Sequence, residues 1–120
     1  MEKTFIEQQL EGLQTADNYI LKLINGIDMY FNYIKEDREE EANNLLSHIV
    51  EGIEWIIEIA RLTKDVQKKN MDERTMDEYK SELIIFFNEG SIDEGYKVLD
   101  EKVLPLLREW NNIISKSISA

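Results

Sequence analysis

Cysteine is absent from this sequence, which excludes disulfides, thiolate nucleophiles and cysteine-ligated zinc. Proline occurs once and glycine five times, too little punctuation for many short strands, so long helices are expected. A single histidine leaves few routes to metal catalysis. No apolar run approaches the roughly 18 uninterrupted residues that a membrane span needs. Met1-Glu2-Lys3-Thr4 offers neither a basic lead nor an apolar signal core, so the cytoplasm is the expected location. Basic charge is scarce as well. Against 25 Asp and Glu there are 14 Lys and Arg, a formal net charge of −11. Such a surface repels phosphate backbones and anionic lipid, so neither nucleic acid nor a membrane is an expected partner. No Gly-rich phosphate loop and no Ser/His/Asp set with a recognisable elbow occurs either. An enzyme, a cofactor or a metal site is therefore not expected.

What the sequence does have is helical periodicity, in a chain of 120 residues that is expected to fold as one domain over 1–120. Ile6, Leu10, Leu13, Ile20, Ile24, Ile27, Phe31 and Ile34 keep four-three spacing, broadened by Phe5, Ala16, Tyr19, Leu23 and Tyr30. They predict a first helix from near Lys3 to about Lys35, with Asp17 at the edge of its stripe. Gly12 and Gly26 in that helix are expected to allow close approach of a neighbour. Glu36 to Glu41 has no apolar residue and marks a short turn, with acidic side chains suited to the start of the next helix. The second helix is expected over about 38–68. Thr75-Met76-Asp77-Glu78 and Ser91-Ile92-Asp93-Glu94 both fit capping boxes. They predict a third helix over about 75–89, closed by Gly90, and a fourth over about 91–115. Pro105 lies inside the fourth helix and predicts a kink near Glu101 to Leu104; the pattern is lost from Ser115, where fraying is expected. The fold class is all-α, an antiparallel up-down four-helix bundle with a long first hairpin.

The second helix carries two apolar stripes. Ala42, Leu46, Ile49, Ile53, Ile56, Ala60 and Thr63 form one; Leu45, His48, Gly52, Trp55, Ile59, Leu62 and Val66 form the other. Only a narrow polar strip, Ser47, Glu51, Glu54, Glu58, Arg61 and Asp65, separates their outer edges. A bundle helix normally buries one side. Unless the third and fourth helices cover both stripes, the second is a seam for a partner helix or another copy of the chain. Leu45, Trp55, Ile59, Leu62 and Val66 are then the partner-binding residues, with Trp55 as the central anchor. The function expected on this basis is a non-enzymatic protein–protein interaction module, adaptor-like or chaperone-like.

Three resemblances bear on function. Glu51 and Glu54 form a Glu-x-x-Glu pair like half of the magnesium site of all-α nucleotide pyrophosphohydrolases, but the second half, Glu-x-x-Asp, occurs nowhere in the chain. Leu46-Ser47-His48-Ile49-Val50-Glu51-Gly52 resembles the core of histidine phosphotransfer domains, which are four-helix bundles of about this size. That likeness makes His48 an alternative phosphoacceptor and Gly52 the opening through which a receiver domain reaches it. The chain departs from the pattern at Glu51, where the family places a lysine that neutralises the phosphoryl group. Finally, Gly52-Ile53-Glu54-Trp55-Ile56-Ile57-Glu58 and Val103-Leu104-Pro105-Leu106-Leu107-Arg108-Glu109-Trp110 resemble small uncharacterised helical proteins of Gram-positive bacteria. The likeness covers most of the chain and implies a bundle fold without an activity.

Overall fold

Thr4 opens the first helix by accepting a hydrogen bond from the Glu7 backbone N–H while the Glu7 carboxylate receives the Thr4 N–H, a capping box. The computed structural model describes residues 4–119, so the expected start near Lys3 lies outside the described residues. Helix α1 spans Phe5–Lys35. A turn at Glu36–Arg38 follows, with Asp37 at φ 57°, the left-handed region that an aspartate tolerates better than most residues. Helix α2 spans Glu39–Leu62, with Glu39, Glu40 and Glu41 at its positive end. Helix α3 spans Glu73–Glu89 and closes on Gly90 at φ 72°, as its sequence predicts. Helix α4 is continuous but not uniform: Ile92–Val98 is α-helical, Leu99–Val103 is a π turn, and Leu104–Ile118 is α-helical again. No strand occurs among the described residues. The chain is an all-α helical bundle.

The contacts make a closed ring. Helix α1 lies between α2 and the C-terminal half of α4, and α3 lies between α2 and the N-terminal half of α4. The bundle measures 52 × 22 × 22 Å. Its core runs through Leu13, Ile20 and Ile27 of α1, Ile53 and Ile56 of α2, Met76 and Leu83 of α3, and Leu99, Leu107, Trp110 and Ile114 of α4. Each of these is fully or almost fully buried, and truncating such a side chain costs about 2–5 kcal/mol. The Trp110 indole N–H is buried without a partner among the described residues, so the apolar area of the ring offsets an unpaired donor.

Several sequence-based boundaries shift, each for a local reason. Helix α2 stops at Leu62 rather than near Lys68. Thr63 Oγ1 donates to the Ile59 carbonyl, and Gln67 Nε2 donates to the Ala60 carbonyl and to Thr63 Oγ1. These side chains take over the last carbonyls of the helix. A 3₁₀ turn at Lys64–Val66 follows, so Val66 is not part of the α2 stripe. Helix α3 starts earlier than expected because Asp72, not Thr75, is the cap: its carboxylate accepts from the Thr75 N–H and from the Thr75 hydroxyl. Ser91 precedes α4 without a side-chain cap bond. The irregularity expected from Pro105 appears as the π turn, in which the Leu104 N–H donates to the Leu99 carbonyl. The widened turn lies immediately before the proline, whose missing N–H and bulky ring disfavour an ordinary α turn there. Helix α4 then stays ordered to Ile118, past the point where its pattern fades.

The glycines divide. A Cβ at Gly12 would stand 3.3 Å from Thr63 Cγ2, and one at Gly52 would stand 2.6 Å from the Tyr19 hydroxyl oxygen and 3.0 Å from Leu23 Cδ1. A Cβ at Gly26 would meet nothing, so the close approach expected there does not occur. Gly26→Ala should stabilise the fold by about 1 kcal/mol through helix propensity. Gly52→Ala should fall short of that gain by at least about 1 kcal/mol, because Tyr19 must move off the helix. Urea unfolding of both variants checks this, and equal gains would refute the Tyr19 contact. At the α3 cap, the hydrogen bonds from the Thr75 hydroxyl and backbone hold the Asp72 carboxyl below its ordinary value of 3.8. A lowered folded-state value means the cap's contribution is full above the ordinary value and is lost as pH falls through the lowered one. Asp72→Ala should cost about 1 kcal/mol at pH 7. Asp72→Asn should keep the cap while removing its acid sensitivity; stability curves from pH 7 to 2 distinguish the two.

Candidate functional site

The second stripe of α2 turns toward α1 and away from α3. Gly52 is buried beneath the Tyr19 side chain, and the Tyr19 and Trp55 rings lie 4.7 Å apart. This tilted pair, its ring planes 59° apart, closes the middle of the α1/α2 seam. Above it, Leu45 and His48 flank a shallow hollow shared with Tyr19, Lys22, Leu23 and Gly26. Below it, Ile59 and Leu62 of α2 meet Phe5, Gln8, Gln9 and Gly12 of α1 around an apolar hollow of about 250 Å³. Phe5 is 69 % exposed, Leu62 58 % and Trp55 37 %. The structure thus brings Leu45, Trp55, Ile59 and Leu62 onto one outer face of the hairpin, and it sets Val66 apart on the following turn.

Phe5 belongs to this face, although its spacing reads as core. Periodicity tells which side of α1 is apolar, and it is silent on whether another helix reaches that far down. Polar anchors fix the floor of the hollow. Gln9, itself buried, donates from Nε2 to Asp65 Oδ2 at 3.0 Å and accepts the Asp65 N–H at 3.2 Å. The pair clamps the α1 start to the 3₁₀ turn. The Lys68 N–H donates to Ser117 Oγ, tying the same loop to the end of α4. An apolar hollow is therefore held open on rigid supports.

His48 stands in solvent, its side chain 75 % exposed, with Nδ1 3.8 Å from Glu51 Oε2. Gly52, the residue that the phosphotransfer resemblance casts as an opening, is covered by Tyr19 and Leu23. Glu54 faces α3, where it lies 3.7 Å from Lys80 Nζ. No group of three histidine or acidic side chains gathers closely enough to hold a metal ion among the described residues. Asp17 sits at the stripe's edge as expected, 3.4 Å from the Ser115 hydroxyl.

A second concavity lies at the opposite end of the bundle. Tyr30, Asn43, Leu46, Leu83, Phe86, Phe87 and Ile92, with the backbone of Gly90, Ser91 and Gly95, enclose about 190 Å³ between α1, α2, α3 and the start of α4. On the other side of the Gly90–Ile92 corner lies a separate hollow lined by Asp37, Glu39, Asp93 and Glu94. Of these the sequence offers Tyr30 alone, one of five tyrosines (Tyr19, Tyr30, Tyr33, Tyr79 and Tyr96) whose polar tips among apolar walls would suit a small-molecule pocket inside the bundle. The αL glycine at Gly90 was the available signal, since it forces the chain to turn sharply across the end of the core.

No helix among the described residues is long and apolar enough to cross a membrane. No curated protein and no solved structure matches the chain. A family model, described as a domain of unknown function (DUF8042), matches residues 11–113, which takes in α2 and α3 and most of α1 and α4, while Phe5, Gln8 and Gln9 of the hairpin face precede it. The chain belongs to that family.

Proposed function

We propose that this protein is a non-enzymatic interaction module that seats an apolar helix of another protein along the outer face of the α1/α2 hairpin. One observation carries the reading: Phe5, Trp55 and Leu62 are exposed on a single face, where Phe5 and Leu62 line a preformed apolar hollow with Ile59 and Trp55 lies beside it. Large apolar side chains gathered in this way, with an aromatic anchor among aliphatics, have the composition of a binding hot spot. From Leu45 to Leu62 the face is about 25 Å long, which suits a partner helix of four or five turns.

The chemistry of that partner follows from charge. Glu51 and Glu58 border the face on α2, and the chain as a whole carries −11. Two copies would bring like charge together, whereas an amphipathic helix with lysine or arginine beside its apolar stripe would meet opposite charge. An adaptor or a chaperone-like holder of such a segment is the role this supports.

The test uses a fluorescent amphipathic peptide built from leucine and lysine, titrated at physiological salt and followed by anisotropy. Leu62→Gln should weaken binding about tenfold, while Ile85→Gln, at an exposed apolar position on α3, should leave it unchanged. Both side chains are largely in solvent, so unfolding curves should match the wild type within about 0.5 kcal/mol. Equal effects of the two variants, or no binding, would overturn the reading. A concentration-dependent dimer dissolved by Leu62→Gln, seen by light scattering, would replace the partner helix with a second copy of the chain.

A further inference from the structure

The outward side of α1 is almost without charge. Gln14, Asn18, Leu21, Asn25, Met29 and Asn32 follow at spacings of four and three, so they form one stripe about 27 Å long. All six are exposed, and two are large and apolar: Leu21 is 54 % exposed and Met29 42 %. The outward rows of the neighbouring helices are different. On α2 the row is Glu51, Glu54, Glu58 and Arg61; on α4 it includes Glu94, Lys97, Glu101 and Arg108. In a chain of net charge −11, this stripe is a place where a second copy meets no wall of like charge.

The order of residues along the stripe narrows the occupant further. Counted outward from Asn25 in both directions, the third residues are Lys22 and Asp28, the fourth are Leu21 and Met29, and the seventh are Asn18 and Asn32. The pattern is the same from either end, except that the charge at its edges changes sign. An inverted copy with its twofold axis at Asn25 sets Leu21 level with the partner's Met29 and Asn18 level with the partner's Asn32. Lys22 comes to the level of the partner's Asp28, so each level carries matching polarity or opposite charge. The carboxamide of Asn25, both donor and acceptor, is complementary to its own copy across the axis. A parallel pair would instead level Lys22 with Lys22 and Asp28 with Asp28. It would also join the acidic ends that hold Asp37, Glu39, Asp93 and Glu94.

We infer that the outer stripe of α1 is a self-association seam, on which two copies of the chain pair in antiparallel about Asn25. The contact is one helix side against another, a small interface, so the dimer is weak and reversible. The seam is separate from the α1/α2 face and does not depend on it.

Light scattering of the wild type should show a mass that rises with concentration toward two chains, and Leu21→Glu with Met29→Glu should hold it at one. Both positions are exposed and glutamate is a good helix former, so the melting temperature of that variant should not fall. Leu62→Gln, on the α1/α2 face, should leave the dimer intact. Because the chain has no cysteine, single introduced cysteines read the register. Under mild oxidation Asn25→Cys should form a disulfide dimer at least about fivefold faster than Asn112→Cys on the exposed side of α4. Asn18→Cys should link to Asn32→Cys faster than either links to itself. A mass of one chain at every concentration, a dimer that survives the two glutamates or dissolves with Leu62→Gln, or Asn25→Cys linking no faster than Asn112→Cys would overturn the inference. Faster self-linking of Asn18→Cys would overturn the inverted register.

Discussion

The unequal lengths of the helices constrain everything else in this bundle. Helix α1 has 31 residues and α3 has 17, a difference of about 20 Å at 1.5 Å per residue. A helix pair of that mismatch leaves part of the longer partner's apolar surface without a facing helix. The segment between α2 and α3 covers part of it: Met71 is completely buried although it lies in a loop, and Thr63 and Gln67 hold the loop against the end of α2. The Gln9–Asp65 clamp and the Lys68–Ser117 bond fasten it on the other sides. What the loop leaves uncovered is the outer side of the start of α1 and of the last turn of α2. Phe5, Ile59 and Leu62 are exposed there because the ring of helices is incomplete at that level, and the hairpin face inherits its apolar character from the mismatch.

At the other end the short α3 produces a different result. It stops at Gly90, and the chain turns directly into α4, so the end of the core is closed by the Gly90–Ile92 corner. A tight corner does not fill the space between the four helices, and the volume beside Tyr30 remains. Both turns at this end are also acidic at the positive starts of α2 and α4, as helix dipoles favour. The local preference that begins each helix with aspartate and glutamate therefore lines the neighbouring outer hollow with carboxylates.

The sequence made the class of fold legible because the apolar spacing in α1 and α2 is long and regular, and because Gly90 ends a helix in the most favoured way. It misplaced the end of α2, where Val66 continues the stripe in number but not in space. Side-chain hydrogen bonds from Thr63 and Gln67 decided that boundary, and stripe counting does not include them. The cap of α3 was misread for a similar reason: Thr75 and Glu78 satisfy the capping-box spacing, while Asp72 supplies a charged acceptor one turn earlier. Of the candidate site, the residues on α2 were legible and the contribution of Phe5 was not, since exposure depends on where other helices stop. Of the end cavity only Tyr30 was legible, as one tyrosine among five, because its lining comes from four helices. One signal in α4 was readable in principle. Gly95, Leu99, Val103 and Leu107, all buried, advance by fours without an intervening three, more slowly than an ordinary helix turns.

That slow advance has a consequence for how the chain tolerates changes in its length. A π turn holds one residue more than an α turn requires. Within α1, α2 or α3, inserting or deleting a single residue would rotate every following side chain by about 100° and carry core positions into water. At Leu99–Val103 the winding has already absorbed such an insertion, and the helix beyond it still presents Leu107, Trp110 and Ile114 to the core. Among the described residues, the fourth helix is thus where a change of one residue alters the pitch of a turn rather than the identity of the buried face.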